Sequence, residues 1–173
     1  MSNPVPERLI NYRAYLEGGA LAGVATVELP DIEAMTDTVS GAGIAGEVDS
    51  PILGHFGSMT STITFRTITD DGMRLSAQKS HALEFRGSQQ VYDAANGNYL
   101  TVPVRVAMRA IPKRTGLGSL EVGSTTDSEN EFELTYLKIV IDNIDRIEID
   151  KYNFKYVVNG VDYLASVRDD LGM

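Results

Sequence analysis

The chain has 173 residues, with 24 Asp and Glu against 15 Lys and Arg and a formal net charge of −9 at pH 7. This length fits a single domain with one hydrophobic core, and the acidic balance disfavours a protein that holds nucleic-acid phosphates, because that task needs clustered Lys and Arg. The sequence has no cysteine, which excludes disulfides, thiolate metal sites and a thiol nucleophile.

The first two predicted strands form a hairpin. Residues 8–16 and 21–29 are rich in residues that favour strands, and they flank Gly18-Gly19. A glycine pair supplies the positive φ angles that a tight hairpin turn requires. Pro30 ends the second strand, since proline cannot continue a hydrogen-bonded ladder.

A half-buried strand and a short helix follow. Along 58–68 apolar residues alternate with threonines, which predicts a strand with one buried and one solvated face. Residues 70–78 are the only helix that we expect before the C-terminal region. Thr69 or Asp70 can cap its first turn, because both side chains accept hydrogen bonds from free backbone N–H groups.

Two further strands are predicted at 81–92 and 99–111. Asn96-Gly97 lies between them and is a strong signal for a tight turn. Pro103 falls inside the second strand. Because proline has no N–H to donate to a neighbouring strand, it indicates an edge strand or a bulge at that point.

The runs 131–141 and 144–158 flank a turn at Asp142-Asn143, and both change their pattern partway. In each run the apolar residues switch from one parity to the other at a similar distance from the turn. Because strand side chains alternate between faces, the switch means that the hairpin passes into a different environment. A long hairpin that leaves its own core to pack on a neighbouring subunit explains the switch, and so does a bulge inside a monomeric sandwich.

The residues that could carry chemistry form no recognisable active or metal site. His55 and His81 have no partner at metal-ligand spacing, so we expect structural or solvated histidines. Gly41 to Gly46 has the composition of a phosphate-binding loop but lacks the strand-to-helix context, and a turn is expected there. The acidic residues between Asp142 and Asp150 lack the order of a calcium loop, which favours an acidic strand face. No motif predicts an enzyme.

The C-terminal residues carry the most specific motif. Val158 to Leu164 reads V-N-G-V-D-Y-L, and Arg168 to Gly172 reads R-D-D-L-G before a final methionine. This pattern resembles the tail-tube proteins of contractile-tailed phages and R-type pyocins, the tailocins. Similar segments occur in the order of that family at Leu29-Pro30, Gly41 to Ile44, Val102 to Arg109, and Ile149-Asp150.

The resemblance implies a mainly β fold, a small β-barrel or sandwich with one short helix and a long β-hairpin. It implies that six copies form a ring with a shared β-barrel, and that rings stack into the hollow inner tube of a contractile injection particle. The implied protein is structural, without a cofactor or metal. Its implied partners are sheath, tape-measure, baseplate and terminator proteins, with DNA only as non-specifically conducted cargo.

The implied location is the virion or tailocin particle, assembled in the cytoplasm of a bacterial host. No stretch of the sequence is apolar enough to predict a membrane segment. Two alternatives stay open, namely a tube subunit of a related protein-secreting apparatus and a monomeric β-sandwich binding module. The absence of Trp disfavours a sugar-binding module, although eight Tyr keep it open.

The expected organisation is one domain, 1–173, with an N-terminal arm at 1–7, long loops at about 37–51 and 112–130, and a C-terminal arm at 159–173. Contacts between subunits or rings are expected at Gly41, Gly43, Ile44, Asn159, Gly160, Asp162, Leu164, Arg168 and Leu171. The C-terminal arm is expected to have too little local core for its apolar residues. Residues facing an acidic lumen that repels DNA are expected at Glu131, Glu133, Asp145, Glu148, Thr62 and Thr64.

Overall fold

The computed structural model describes residues 3–173, which form twelve strands and two helices. The strands are β1 (Pro4–Leu16), β2 (Gly19–Ala20), β3 (Val24–Glu28), β4 (Ala34–Ser40), β5 (Glu47–Phe56), β6 (Thr60–Phe65), β7 (His81–Asp93), β8 (Asn98–Gly116), β9 (Ser128–Ile141), β10 (Ile144–Asp150), β11 (Lys155–Val158) and β12 (Val161–Asp162). The helices are α1 (Asp70–Arg74) and α2 (Ala165–Leu171). The prediction of a mainly β chain is confirmed, whereas the second helix was not predicted.

Ten strands form one branched antiparallel sheet, and β9 is its branch point. The main path runs β12-β11-β10-β9-β8-β7-β1-β2, and β3 joins through β6. One edge of β9 pairs with β8, while the other pairs with β6 over 128–133 and with β10 over 136–141. Between these two ladders the second edge of β9 is also hydrogen-bonded. The Leu134 N–H donates to Met59 O at 2.8 Å, and the backbone N–H of Lys151 donates to Thr135 O at 3.1 Å.

A β-bulge at Thr135 divides β9 into two halves. Arg109 of β8 pairs with Tyr136 and the next residue, Ala110, pairs with Leu134, so Thr135 has no partner on β8. The extra residue reverses the parity of the strand, and Leu134 and Leu137 are both buried although they are three residues apart. A bulge therefore explains the parity change in this run.

The parity change in the second run has another cause. Residues 144–158 are not one strand, because β10 ends at Asp150 and the chain turns through 151–154 before β11 pairs back on β10. Phe154 occupies this turn with φ +49°. The predicted hairpin at 131–158 is therefore confirmed where β9 and β10 pair across the Asp142-Asn143 turn, from Tyr136 to Asp150, and is wrong beyond Asp150. The long hairpin of this fold is β7–β8, whose strands have 13 and 19 residues.

The hydrophobic core lies between the long strands and the β3–β6 branch. Both layers contribute side chains to one cluster, whose members include Leu16, Ile63, Phe65, Leu83, Phe85, Met108, Phe132 and Leu134. Leu75, the residue that ends α1, is fully buried in the same cluster. Thr69 caps α1 as predicted by accepting a hydrogen bond from the Gly72 N–H, but the helix is shorter than 70–78.

The first predicted hairpin is only partly correct. Gly18 forms the turn with φ +85°, but β1 and β2 share just two residue pairs. At Gly23, which has φ +76°, the chain leaves β1, and β3 pairs with β6 instead. The chain takes this route because it places Val24 and Val27 against the hydrophobic core, on the side of the β3–β6 branch.

Pro103 lies inside β8, and the ladder with β7 continues through it without a shift. The ladder between β8 and β9 ends at the pair Val104–Ile141, so at Pro103 the strand has a neighbour on one side only. The Pro103 carbonyl accepts a hydrogen bond from the Asp142 N–H on that open side. The missing N–H of proline therefore leaves no gap in the β7 ladder.

Three of the expected arms and loops differ in the structure. Residues 37–51 are not a loop but part of a hairpin in which β4 and β5 form a separate two-stranded sheet. The loop expected at 112–130 is shorter, since only 117–127 lie between β8 and β9. The N-terminal residues from Pro4 onward pair with β7 and are not a free arm. Met1 and Ser2 lie outside the described residues.

Candidate assembly surfaces

The hairpin of residues 34–56, which we call the arm, exposes apolar side chains. All seven residues of β4 are exposed. Six large apolar side chains of the arm are accessible to solvent, namely Met35, Val39, Ile44, Val48, Ile52 and Leu53. The arm also carries three acidic residues and no Lys or Arg. A concentration of exposed apolar side chains on one element is typical of a surface that binds another protein.

The glycine segment forms the tip of the arm. Gly41 and Gly43 have φ angles of +135° and +92°, and Ile44 donates its N–H to Gly41 O at 3.1 Å. These values fit a turn between two strands, as the sequence predicted, and no helix begins there. The predicted contact residues Gly41, Gly43 and Ile44 thus lie together at the exposed end of the hairpin.

The C-terminal segment is fixed to the body of the domain by polar contacts. Arg168 lies at its centre: its Nη2 is 2.6 Å from Asp162 Oδ2, and its Nη1 donates to Phe154 O at 2.7 Å. Asp162 also accepts a hydrogen bond from the Leu164 N–H at 3.0 Å. The hydrogen bond from Arg168 holds the pKa of the Asp162 carboxyl below its usual value.

Part of this segment is buried within one chain, which corrects the expectation that its apolar residues lack local core. Leu164 has only 4% of its surface exposed. Val161 and Leu171, in contrast, are more than half exposed. Asn159 and Gly160 form the turn between β11 and β12, with φ angles of +48° and +84°. The predicted contact set therefore contains both internal and accessible residues.

The base of the arm packs directly on the C-terminal segment. Gly54 has φ +68°, and a Cβ atom there would lie 2.5 Å from Leu164 Cδ2. Beside it, the Tyr156 ring contacts Phe56 at 4.9 Å and Tyr163 at 5.5 Å between ring centroids. The structure thus joins two regions that are distant in sequence, and no sequence signal indicated this junction.

The residues expected to face a lumen fall into two groups. Thr62 pairs with Glu131, and Thr64 and Glu133 lie on the same face of β6 and β9. Asp145 and Glu148 belong to β10, which pairs with β9 beyond the bulge. The expected set is therefore not one continuous cluster.

Basic side chains partly neutralise both groups. Glu131 lies 3.5 Å from Lys113 and 3.2 Å from Arg114. Asp145 lies 2.7 Å from Lys138, and Glu148 lies 2.9 Å from Lys155. The field of these carboxylates is weaker than their number alone predicts.

Two of these carboxylates have polar partners that fix their position. Burial raises the pKa of Glu133, but the Ser58 hydrogen bond and the Lys151 ammonium lower it by more, so the pKa lies below its usual value. Glu148 accepts a hydrogen bond from the Tyr136 hydroxyl at 3.0 Å. Burial and then this hydrogen bond raise the pKa of Tyr136 to about 12.

The loop 117–127 carries a third set of accessible apolar side chains. Leu120 is 88% exposed, and Val122 is fully exposed at 103%. The sequence predicted a loop here from its Gly, Ser and Thr content, but these two residues were not singled out. The available signal was the presence of two large apolar residues in an otherwise polar segment, because such a segment offers no core in which to bury them.

In the described part of the chain, the two histidines and the two helices indicate neither a metal site nor a membrane-spanning segment. His55 is exposed on β5, and His81 is buried with Nε2 3.0 Å from Ala77 O. Within residues 3–173 there is no group of three or more His, Cys, Asp or Glu residues arranged to hold a metal ion. No helix in this part of the chain is long and apolar enough to cross a membrane.

Comparison with known proteins identifies the family. The model of the family described as phage tail tube protein FII matches residues 6–172. The chain belongs to this family. It is thus a tail tube protein, as its C-terminal motif predicted, and a structural protein rather than an enzyme.

Among curated proteins, the tail tube protein of Escherichia phage P2 is 27% identical over 179 residues, covering 98% of this chain and 99% of its own. The tail tube protein is also similar to two solved chains of an extracellular contractile injection system. A chain of the PVC sheath-tube complex in the extended state has 14% identity, with 75% of this chain and 86% of the other covered and a TM-score of 0.46. A chain titled PVC sheath/tube terminator in the extended state has 15% identity, with 76% and 93% covered and a TM-score of 0.46.

Proposed function

We propose that six copies of this tail tube protein associate into a ring and that rings stack into a hollow conduit. The observation that carries the proposal is the arm. A two-stranded hairpin is only marginally stable alone in water, yet this one keeps six large apolar side chains exposed. Burial of each such side chain contributes about 1.5–3 kcal/mol, so contact with another copy supplies the missing stabilisation.

The proposed contacts between copies use the arm together with the C-terminal segment. Gly41, Gly43 and Ile44 at the tip of the arm would reach a neighbouring subunit or ring. Val161 and Leu171 would be buried there as well, since both are accessible in the single chain. Asp162, Leu164 and Arg168 support this surface from within by fixing the segment to the domain. Asn159 and Gly160 form the turn that presents it.

For the lumen, the proposal assigns Glu131, Glu133, Thr62 and Thr64 as one polar wall, with Asp145 and Glu148 as a second acidic site. An acidic wall repels a polyanion and lets it slide. The proposed partners are the sheath, tape-measure, baseplate and terminator proteins of a phage or tailocin particle, with DNA as cargo in a phage. Family membership supports these partners, and it equally fits a tube that serves a protein-secreting apparatus.

Negative-stain electron microscopy of the purified protein at rising concentration tests the proposal. We expect rings and then tubes for the natural chain. The double substitution Val39→Asn with Val48→Asn, on paired strands of the arm, should prevent tube growth while circular dichroism stays unchanged. The matched control is Ile68→Asn with Tyr99→Asn, two exposed apolar residues outside the arm. Normal tubes from the arm variant would overturn the role of the arm. A natural chain that stays monomeric at every concentration would overturn the proposal that this protein forms tubes.

A further inference from the structure

Five arginines lie on one face of the β1-β7-β8 part of the sheet. This face is opposite to the core, and its arginines are Arg8, Arg13, Arg86, Arg105 and Arg109, which we call the arginine face. All five are exposed. Residues that pair across adjacent strands project to the same side, and the pairs Arg8–Gln90, Arg13–Arg86 and Arg86–Arg105 assign four of them directly. Arg109 follows Arg105 on β8 at an even spacing.

Three of these arginines form a row across three strands. Arg13 pairs with Arg86, and Arg86 pairs with Arg105, so the row runs at the spacing of neighbouring strands, about 4.8 Å. Like charges directly opposite each other on a sheet are destabilising. An anion that bridges the row would remove this repulsion.

The arginine face is poorly neutralised by the chain itself. Arg86 forms an ion pair with Glu84 and lies over the Tyr15 ring. Within residues 3–173, the other four arginines of the face form no salt bridge. By contrast, the basic side chains near β9 are paired with carboxylates, as the contacts of Lys113, Arg114 and Lys138 show.

The other side chains of this face indicate which anion fits. Asn11, Ser88, Gln90 and Thr101 occupy the positions around the arginines. Such amide and hydroxyl groups, together with arginine, are the usual contacts of phosphate oxygens in nucleic-acid backbones. The face also has apolar neighbours, because Val140 pairs with Arg105 and the rings of Tyr15 and Tyr136 lie beside Arg86 and Arg109. The row of arginines with amide and hydroxyl neighbours fits a phosphodiester backbone, and an acidic protein surface is the other outcome of the test below.

We propose that the arginine face binds the phosphodiester backbone of a nucleic acid without regard to base sequence, as a basic patch on a sheet surface whose part beyond β9 carries the acidic Asp145 and Glu148. Arginine suits this role because its planar guanidinium donates two parallel hydrogen bonds to a phosphate. The net charge of −9 does not oppose binding, because fields of distant surface charges are screened beyond about 8–10 Å at physiological salt. The acidic side chains close to the face are Glu84, which Arg86 neutralises, and Glu7, which accepts a hydrogen bond from Gln90. Asp145, Glu148 and Asp150 of β10 lie on the same side of the sheet across β9, where Lys138 and Lys155 pair with the first two.

The test is fluorescence anisotropy of a labelled DNA duplex of mixed sequence, titrated with the full chain at several salt concentrations. Each neutralised phosphate contributes about −0.9 to the slope of log affinity against log salt, so five contacts give about −4.5. The triple substitution Arg13→Gln, Arg86→Gln, Arg105→Gln should reduce the slope to about −1.8 and weaken binding at least about tenfold at low salt. The matched control is Arg66→Gln, Arg74→Gln, Arg146→Gln, which removes the same charge outside the face and should bind as the natural chain does.

A second measurement does not depend on a labelled duplex. Inorganic tripolyphosphate should raise the thermal unfolding midpoint of the natural chain and of the control, but not that of the arginine-face variant. Equal DNA binding by the two triple variants would overturn the proposal, and so would an absence of binding by the natural chain. Tighter binding of polyglutamate than of DNA would overturn it in favour of an acidic protein partner. Tube growth, followed separately by microscopy, reports on assembly and not on this face.

Discussion

Thr135 sets the register of the whole second half of β9. Because it has no partner on β8, its removal would put Leu137 and Ile139 on the solvated face if the remaining pairs were kept. We expect deletion of Thr135 to destabilise the domain by more than about 4 kcal/mol, which is enough to unfold many small domains. Urea denaturation followed by circular dichroism measures the change. Deletion of Val122, in the exposed loop, is the control and should cost less than about 1 kcal/mol.

Gly54 is required by both its backbone and its neighbour. Its φ of +68° disfavours any other residue, and a Cβ atom would lie 2.5 Å from buried Leu164. We expect Gly54→Ala to lower the free energy of unfolding by about 2–4 kcal/mol, since Leu164 must leave its site. Gly57→Ala is the matched control, because its Cβ would meet nothing nearer than 3.8 Å and its φ is not in the left-handed region. Equal thermal shifts for the two variants would contradict this reading of the junction.

The ion pair between Asp162 and Arg168 predicts a pH dependence for the C-terminal segment. The folded pKa of Asp162 is lowered, so its contribution to stability is fully present above the unfolded pKa of about 3.9 and is lost as pH falls through the folded value. We expect the amides of α2 to exchange hydrogen faster, relative to those of β9, below about pH 4. Asp162→Asn should produce the same relative loss at neutral pH. An α2 whose protection is insensitive to both changes would show that the pair does not hold it.

At the scale of elements, α2 and the β sheet are separable. The segment 165–173 contributes no strand and contains no buried residue, whereas Leu164 just before it is buried. We therefore expect a chain that ends at Leu164 to keep the circular dichroism spectrum of the sheet but to lose tube growth, because Leu171 and its neighbours are removed from the proposed contact surface. Tubes of normal length from this truncated chain, seen by electron microscopy, would contradict the assignment.

The loop 117–127 should change its dynamics on assembly. Its exposed Leu120 and Val122 have no apolar contact within one chain that removes them from water. We expect slow hydrogen exchange for this loop in assembled tubes and fast exchange in the free protein, measured by mass spectrometry on the same peptide. The peptide that covers β7 is the internal reference, since its ladder bonds lie within one chain and are expected in both states. Equal protection of the loop in both states would contradict a contact with another copy.

Sequence patterns predicted the elements that have local signals. The threonine alternation identified β6, Asn96-Gly97 identified the β7–β8 turn, and the parity change in β9 reported a real bulge. The turn between β10 and β11 was missed because it contains neither Gly nor Pro. Its order comes from Asp150, which accepts hydrogen bonds from the backbone and side chain of Asn153. The pair Asp150 and Asn153 was the only available signal.

The candidate surfaces were less predictable, for a physical reason. The arm was mistaken for a loop because its strands have no buried face, so the usual alternation of apolar and polar residues is weak. The contact of Gly54 with Leu164 depends on tertiary packing and leaves no local pattern. The C-terminal motif identified the family because a terminal sequence motif is read directly, without knowledge of the fold.

At the scale of the whole molecule, charge is distributed unevenly, and total composition hides this. The sequence disfavoured phosphate binding on its net charge of −9. In the fold, however, five arginines lie on one face of strands that are far apart in the chain. The arm, in contrast, carries three acidic residues and no Lys or Arg. No window of the sequence contains this cluster, so only the sheet topology reveals it.

The branch at β9 has a mechanical consequence. Both edges of this strand are paired along most of its length, to β8 on one side, with the interruption at Thr135, and to β6 and then β10 on the other. A load applied along β9 must therefore shear ladders on two sides together, whereas an edge strand can be unzipped one bond at a time. We therefore expect β9 to resist a pulling force along its length better than the edge strands β2 and β12 do.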